Sequence, residues 1–438
     1  MTQASALDTA STARILLEES HDLPLVSLSI GTTSGGIADP DGREGLTRLT
    51  GRLMRRTGGG RDPQEIDTRI DSLGGSLSVD VGHSVAIFHA TVIRRSLEPF
   101  MELVTDVLGR PGLADSELAR LKRETQAELV DALDDDRGLA RRWFRRKLFA
   151  GHPYGRPLSG TSATLEAIQP DDVHERARSL AARDALVFAW SGDVGPDLAT
   201  RLTERVRAAL PLGEAPLDRT PDPVVPPGRR LVLVDKPERT QTQILIGGLG
   251  THPTDPDHTA LLVGNTIFGG TFTARLTEEV RSKRGWSYGA YSSLPFDRRR
   301  QAFSMWTFPK AEDAAPCIAL ELEMLKAFRE RGVTKKELAW AKRYLVRSHA
   351  FAVDTAAKRV GLALDSVLYD LPPGYYENYL ARVRAVTLDD VNAALRARIP
   401  ERDLLIVVVG TAADIRDAVE RAIPELSHTE VVRFDADV

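Results

Sequence analysis

Two hydrophobic periods alternate along this chain, a two-residue period for strands and a three-to-four-residue period for helices, and the switches between them mark its elements. Arg14-Ile-Leu-Leu-Glu18 followed by Leu25–Ile30 predicts an edge strand and then a core strand; Arg230-Leu-Val-Leu-Val-Asp235 followed by Ile244–Gly248 repeats the pair 216 positions later. Asp115–Lys122 opens a long helix and Thr334–Lys342 opens another, with Glu117-Leu118 and Glu337-Leu338 lying 220 positions apart. Pro170-Asp-Asp-Val173 leads through a helix to the strand-like Ala185–Asp193, and Leu388-Asp-Asp-Val391 leads likewise to Asp403–Thr411, with Asp172 and Asp390 separated by 218. Nearly equal offsets at separate anchors mean that the chain says the same thing twice.

Between the copies lies Gly213–Arg229, with Pro216, Pro221, Pro223, Pro226 and Pro227. Prolines at that density cannot run as a helix or central strand, so the segment reads as a semi-extended linker. The expected organisation is therefore a first domain over residues 1–212, a linker over 213–229 and a second domain over 230–438. Each copy reads as strand pair, helix, strand pair, two or three helices and a last strand, an α+β pattern.

One stretch, Phe268–Ser293, carries the densest chemistry. The glycine pair Gly269-Gly270 precedes a predicted helix with Phe272, Leu276 and Val280 on one face, Lys283 and Arg284 at its foot, and Gly285 as its left-handed stop. Trp286, Tyr288 and Tyr291 then predict a strand. This places Arg281 at the end of a helix and Tyr288 near the start of a strand, where a guanidinium and a phenol could converge on one point.

Composition changes little. The 438 residues are 42 % hydrophobic and 27 % charged, with a formal charge of −4. That balance gives no reason to expect nucleic acid or an anionic membrane as partner. Met1–Ile15 shows no signal-peptide pattern and no run approaches a membrane span. A cytoplasmic protein is the simplest reading, with a periplasmic life through a leader absent from this sequence left open. Cys317 follows Pro316 in a helix marked by early acids and late arginines, and reads as a small buried hydrophobe.

The phrases Leu23-Pro-Leu-Val-Ser-Leu-Ser-Ile with its following Gly-Gly and Asp39, Leu73-Gly-Gly-Ser-Leu-Ser, Gly151-His-Pro-Tyr-Gly155 and Arg281…Arg284-Gly-Trp-Ser-Tyr288 occur in this order on a duplicated unit. Together they resemble, end to end, the M16 family of zinc metallopeptidases, which includes pitrilysin, insulin-degrading enzyme and the mitochondrial processing peptidase. The resemblance implies two LuxS/metallopeptidase-like α/β sandwich domains, each a mostly antiparallel sheet backed by helices, as halves of a clamshell. Active members carry His-x-x-Glu-His on the first long helix, with two imidazoles for zinc and a glutamate as general base.

Here that helix reads Gly45–Arg56, and the degenerate zinc-motif positions are Arg48, Gly51 and Arg52. Arginine stays protonated and offers no lone pair; glycine cannot take a proton from water. No metal is expected in this chain. Glu124 and Glu128 stand where the distant zinc-binding glutamate belongs, and read either as a solvated helix face or as counter-charges to Arg48 and Arg52. Elsewhere, His83 and His89 read as residues on one strand face without an acidic neighbour, His252 and His258 as a solvated loop, and His152 as a turn residue.

The resemblance assigns Arg281 and Tyr288 to the pair with which the non-zinc half holds peptide and polarises its carbonyl, and brings Gly269, Gly270, Thr271 and Phe272 against substrate. Without it, Arg281 would simply end a helix and Tyr288 would pack in a sheet. The implied function is the non-zinc subunit of a heterodimer whose homologous partner holds zinc, acting on a peptide bound as an edge strand. The alternative is an inert structural or peptide-binding homologue, like the core subunits of the respiratory cytochrome bc1 complex. No Ser/His/Asp set supports an autonomous hydrolase.

Overall fold

The computed structural model describes residues 5–6, 14–214 and 219–436, so Pro216 of the proline-rich segment and most of the stretch before Arg14 lie outside the described residues. Among the described residues, twelve strands form two six-stranded sheets. The first holds β1 (Ser5–Ala6), β2 (Arg14–Glu19), β3 (Leu25–Thr32), β4 (Gly75–Val81), β5 (Ala86–Ile93) and β6 (Val187–Gly192), in the order β1-β2-β6-β3-β5-β4. The second holds β7 (Arg229–Asp235), β8 (Gln243–Leu249), β9 (Ala290–Ser293), β10 (Ala302–Thr307), β11 (Leu405–Gly410) and β12 (Leu426–Arg433), ordered β12-β7-β11-β8-β10-β9.

The duplication survives as a shared topology: β6 enters between β2 and β3, and β11 enters between β7 and β8. The two strands of the first predicted pair in each copy, β2/β3 or β7/β8, are therefore not hydrogen-bonded to each other, whereas those of the second, β4/β5 or β9/β10, are. β2 runs parallel to β6, which is antiparallel to β3, and β7 relates to β11 and β8 in the same way. β2 is not an edge strand either, because β1 pairs with it. The reason is burial. Val187-Phe-Ala-Trp190 and Leu405–Gly410 are apolar without alternation and buried on both faces, which suits the middle of a sheet. Most pairings are antiparallel, with the parallel exceptions at β2·β6, β7·β11 and β7·β12. The class is α+β, as the sequence predicts.

Helices are more numerous than expected between β5 and β6: Leu97–Gly109, Asp115–Asp131, Asp136–Leu148, Ser162–Ala167 and Pro170–Leu180. Two of the chain's helices are exchanged between its halves. One compact unit gathers the chain up to Glu128, Pro157–Arg219 and Ala350–Tyr376; the other gathers Leu129–Arg156, Thr220–His349 and Glu377–Val438. These units do not follow the contiguous boundaries 1–212 and 230–438. Helix Ala356–Leu368, from the second copy, lays Val360, Leu364 and Leu368 on Leu16, Val187 and Ala189 of the first sheet. Helix Asp136–Leu148, from the first copy, packs on β8 and β11, where a Cβ at Gly247 would come within 3.0 Å of Phe144. Among the described residues no helix is long and apolar enough to cross a membrane.

Candidate functional site

Helix Leu46–Arg56 turns Leu46, Leu49, Leu53 and Met54 into the core, which leaves its arginines on the opposite face. Its N-terminus is fixed by Asp39, whose carboxylate accepts from the amides of Gly45 at 3.0 Å and Thr47 at 2.9 Å. Buried Arg176 completes the anchor by donating to Thr47 Oγ1 at 2.7 Å and to the carbonyls of Ser34 and Gly35.

One turn apart, Arg48 and Arg52 face the same way, as their spacing predicts. Arg52 grips Glu128, on helix Asp115–Asp131, through two parallel bonds of 2.6 and 2.8 Å, and donates to Thr125 at 3.1 Å. Arg48 donates to Ser159 and stays 3.9 Å from the nearer Glu128 oxygen. Burial and the neighbouring Arg52 press its pKa below the ordinary guanidinium value. So Glu128 takes the counter-charge role. Glu124 does not: it accepts from Arg56 at 2.5 Å and Arg120 at 3.0 Å, and Arg56 holds its carboxyl below the usual range.

Gly51, at the general-base position, lies against β4, where an added Cβ would meet Val79 Cγ2 at 3.1 Å. A side chain there would require Val79 to give by a few tenths of an ångström. Donor chemistry does not fit zinc at this place: two guanidiniums and a hydrogen atom replace its ligands and base, and the remaining carboxylate is engaged by Arg52. Among the described residues no group of three or more His, Cys, Asp or Glu side chains is arranged to hold a metal.

The other histidines are mostly structural. His89 lies in β5, bonded to Ser29 Oγ at 3.0 Å and 3.4 Å from Asp80 on β4, an acidic neighbour that the linear sequence hides. His83 sits in the turn before β5, so the two do not share a strand face. His252 and His258 are buried rather than solvated. His252 bonds Thr254, and His258 opens helix His258–Phe268 with its pKa lowered to about 4 by burial and then by His252. His152 is the turn residue expected, accepting from the amide of Tyr154 at 3.1 Å.

In the second unit, helix His258–Phe268 ends at the glycine pair instead of a helix beginning there. Gly269 is buried because β9 passes close by: its carbonyl accepts from Ser292 N at 2.9 Å, and a Cβ would reach that nitrogen at 2.6 Å. Gly270 is exposed and Thr271 buried. Phe272 stands outside any helix and is 57 % exposed. The next helical segment starts at Arg275, buries Leu276 and Val280, and winds as a π-helix over Glu278–Lys283.

Gly285 has φ +67, the left-handed stop predicted. Strand β9 then begins only at Ala290, so Trp286 and Tyr288 precede it and Tyr291 alone of the three belongs to it. Tyr288 is 82 % exposed, which excludes packing in a sheet. The Arg281 guanidinium lies 4.1 Å from the Phe272 ring centroid. Neither that guanidinium nor the Tyr288 phenol is hydrogen-bonded to another described residue. Tyr291 stacks on Trp306 at 6.1 Å, and Arg137, which periodicity did not single out, sits 3.6 Å from the Trp306 centroid.

Two family descriptions match the chain, Insulinase (Peptidase family M16) over residues 14–162 and Peptidase M16 inactive domain over residues 167–345. Together they cover well over half of it, so the chain belongs to the M16 peptidase family. It is a member whose own metal site is inactive. It is 27 % identical to the peptidase M16 inactive domain of Pseudomonas fluorescens, whose crystal structure superposes with a TM-score of 0.85, covering 92 % of this chain and 97 % of that one. It is 22 % identical over 399 residues to the non-peptidase homolog YmxG of Helicobacter pylori, covering 90 % of this chain and 91 % of that protein. An uncharacterized zinc protease of Streptomyces coelicolor is 26 % identical over 404 residues, covering 90 % and 87 %.

Proposed function

We propose that this chain is the non-zinc subunit of a heterodimeric M16 metallopeptidase acting on peptides in the cytoplasm. The observation that carries the reading is the contrast between its two units. At the metal helix, guanidiniums have replaced the ligands and one is locked to Glu128; at the other surface, Arg281 and Tyr288 keep donors uncommitted to any described residue. A homologous partner with His-x-x-Glu-His would supply zinc and its activated water. This chain's part is to bind and orient an extended peptide, with Gly269–Phe272 beside it, Arg281 holding a backbone carbonyl and Tyr288 donating to the oxygen on which negative charge grows. A preorganised donor of that kind contributes roughly 2.7–4 kcal/mol, or about 10²–10³ in rate.

The test is peptide cleavage by this chain alone, by a zinc-bearing homologue alone and by the mixture, each with and without chelator. Activity is expected in the mixture only, lost with chelator, and reduced about 10²-fold by Tyr288→Phe or Arg281→Ala. Hydrolysis by the isolated chain, or a mixture indifferent to both substitutions, overturns the reading. The second outcome favours the inert, peptide-binding alternative, which the name of the Helicobacter pylori relative supports.

A further inference from the structure

We propose that the cleft left where the metal motif became arginine selects an acidic side chain of an extended peptide, and that Arg48 is the residue that reads it. The inference rests on the extended-peptide binding of the proposed function, taken in the edge-strand mode that the family resemblance implies, but needs neither zinc nor a partner subunit.

β4 is the last strand of its sheet, and among the described residues it pairs with β5 alone. Leu77 turns its carbonyl off the sheet, where Arg55 Nε donates to it at 2.9 Å. By the two-residue alternation of a strand, Val79 and Val81 turn their own N–H and C=O groups the same way. They present the kind of edge to which an extended peptide adds by main-chain hydrogen bonds. A cleft of about 750 Å³ runs beside that edge, bounded by Arg48, Arg52, Asp80, Ile87 and His89.

The strand register fixes what each wall reads. Val79 lies opposite Phe88, Asp80 opposite Ile87 and Ser78 opposite His89, and directly opposed residues share a face. Val79 faces helix Leu46–Arg56, as its approach to Gly51 shows; Asp80, Ile87 and His89 face the other way. A peptide strand laid along β4 therefore sends alternate side chains to an arginine wall and to a mixed wall of Ile87, His89 and the carboxylate of Asp80.

On the first wall, Arg52 is spent on Glu128 and Thr125. Arg48 is not. It has five donor hydrogens, a hydroxyl partner in Ser159 and a Glu128 oxygen too distant for a hydrogen bond, and its side chain is 38 % exposed. The downward pressure on its pKa says that the fold under-compensates its charge. A peptide carboxylate meets that need with a charge-assisted, bidentate bond. On the second wall Asp80 opposes another acid, so the preferred pattern is one acidic residue between non-acidic neighbours. A polyanion is disfavoured, since Glu128 and Asp80 share the cleft and the whole chain carries −4.

The experiment is fluorescence anisotropy on the full isolated chain, with dye-labelled, C-terminally amidated peptides of alternating Thr and Val that carry a central Glu, Gln or Lys. Amidation leaves the side chain as the sole carboxylate. The Glu peptide is expected to bind about tenfold tighter than the Gln peptide, the scale of one hydrogen-bonded charge pair. Arg48→Gln is expected to abolish that preference and Arg48→Glu to turn it toward Lys, with thermal unfolding confirming that both variants fold. Equal binding of Glu and Gln peptides by the unsubstituted chain overturns the proposal, as does a preference that survives Arg48→Gln. Absence of binding by every peptide overturns it together with edge-strand addition. Failure of the cleavage assay alone bears on Arg281 and Tyr288 instead.

Discussion

At the scale of single residues, the most consequential group outside either surface is Glu321. It is fully buried in helix Ala314–Arg331, beside Cys317 and Thr307. Burial drives its carboxyl up to about 8, and burial together with that carboxyl pushes the Cys317 thiol upward, so Cys317 is the inert small hydrophobe the sequence predicts. An unfolded glutamate titrates near ~4.3, so between about pH 4.3 and 8 the native chain holds a proton that the unfolded chain has released. The unfolded state binds fewer protons, and stability falls as pH rises through that window. Glu321→Gln should flatten the fall, gaining on the unsubstituted protein by up to about 1.4 kcal/mol per pH unit. Urea unfolding at several pH values within the window is the measurement; parallel profiles would show that Glu321 stays ionised or finds water.

Other residue-level features were plain in the sequence. Arg48 and Arg52 sit four apart on a helix, so their shared face follows from helical geometry, and their inability to bind metal follows from the guanidinium itself. That Glu128 rather than Glu124 answers them was not readable. Both lie on one helix one turn apart, and only the approach of Arg56 to Glu124 divides the labour.

At the scale of elements, helix stops were more legible than helix starts. Gly285 could be named as a stop because few other residues accept a left-handed φ. No helix starts directly after Gly269-Gly270, because the pair follows the end of helix His258–Phe268 and Gly269 lies against β9. Nothing within 4 Å would obstruct a Cβ at Gly285, so the cost of Gly285→Ala is conformational alone. A loss of roughly 1–2 kcal/mol is expected by denaturant unfolding, with Gly285→Asn recovering part of it, since asparagine tolerates this region better. A greater loss for Asn than for Ala would show that crowding, not φ, controls the site. The π-helical winding of Glu278–Lys283 has no sequence signal that we recognise, although it sets where Arg281 emerges.

At the scale of the whole molecule, the exchanged helices matter most. Residues 1–212, taken as a contiguous half, lack Ala356–Leu368, whose Val360, Leu364 and Leu368 cover Leu16, Val187 and Ala189. Expressed alone, that half should expose an apolar face, bind a hydrophobic dye and unfold at a lower denaturant concentration than the same half with residues 350–376 tethered to it. Equal midpoints for the two versions would mean that the helix is dispensable to the unit. The duplication misleads here for a physical reason: repeats along a chain record its history, whereas burial rewards whichever helix covers the sheet.

What the sequence alone determined is whatever depends on residue type and near neighbours: two copies of one α+β pattern, a metal helix without metal ligands, a glycine stop, and an arginine and tyrosine seven apart. Those properties are set by covalent chemistry and by the periods of helix and strand. Tertiary structure alone decided the rest: β6 and β11 at the centres of their sheets, Asp80 beside His89, Glu128 on Arg52, and helices traded between halves. Such pairings are long-range, and they are selected by which faces can be buried together rather than by any spacing along the chain.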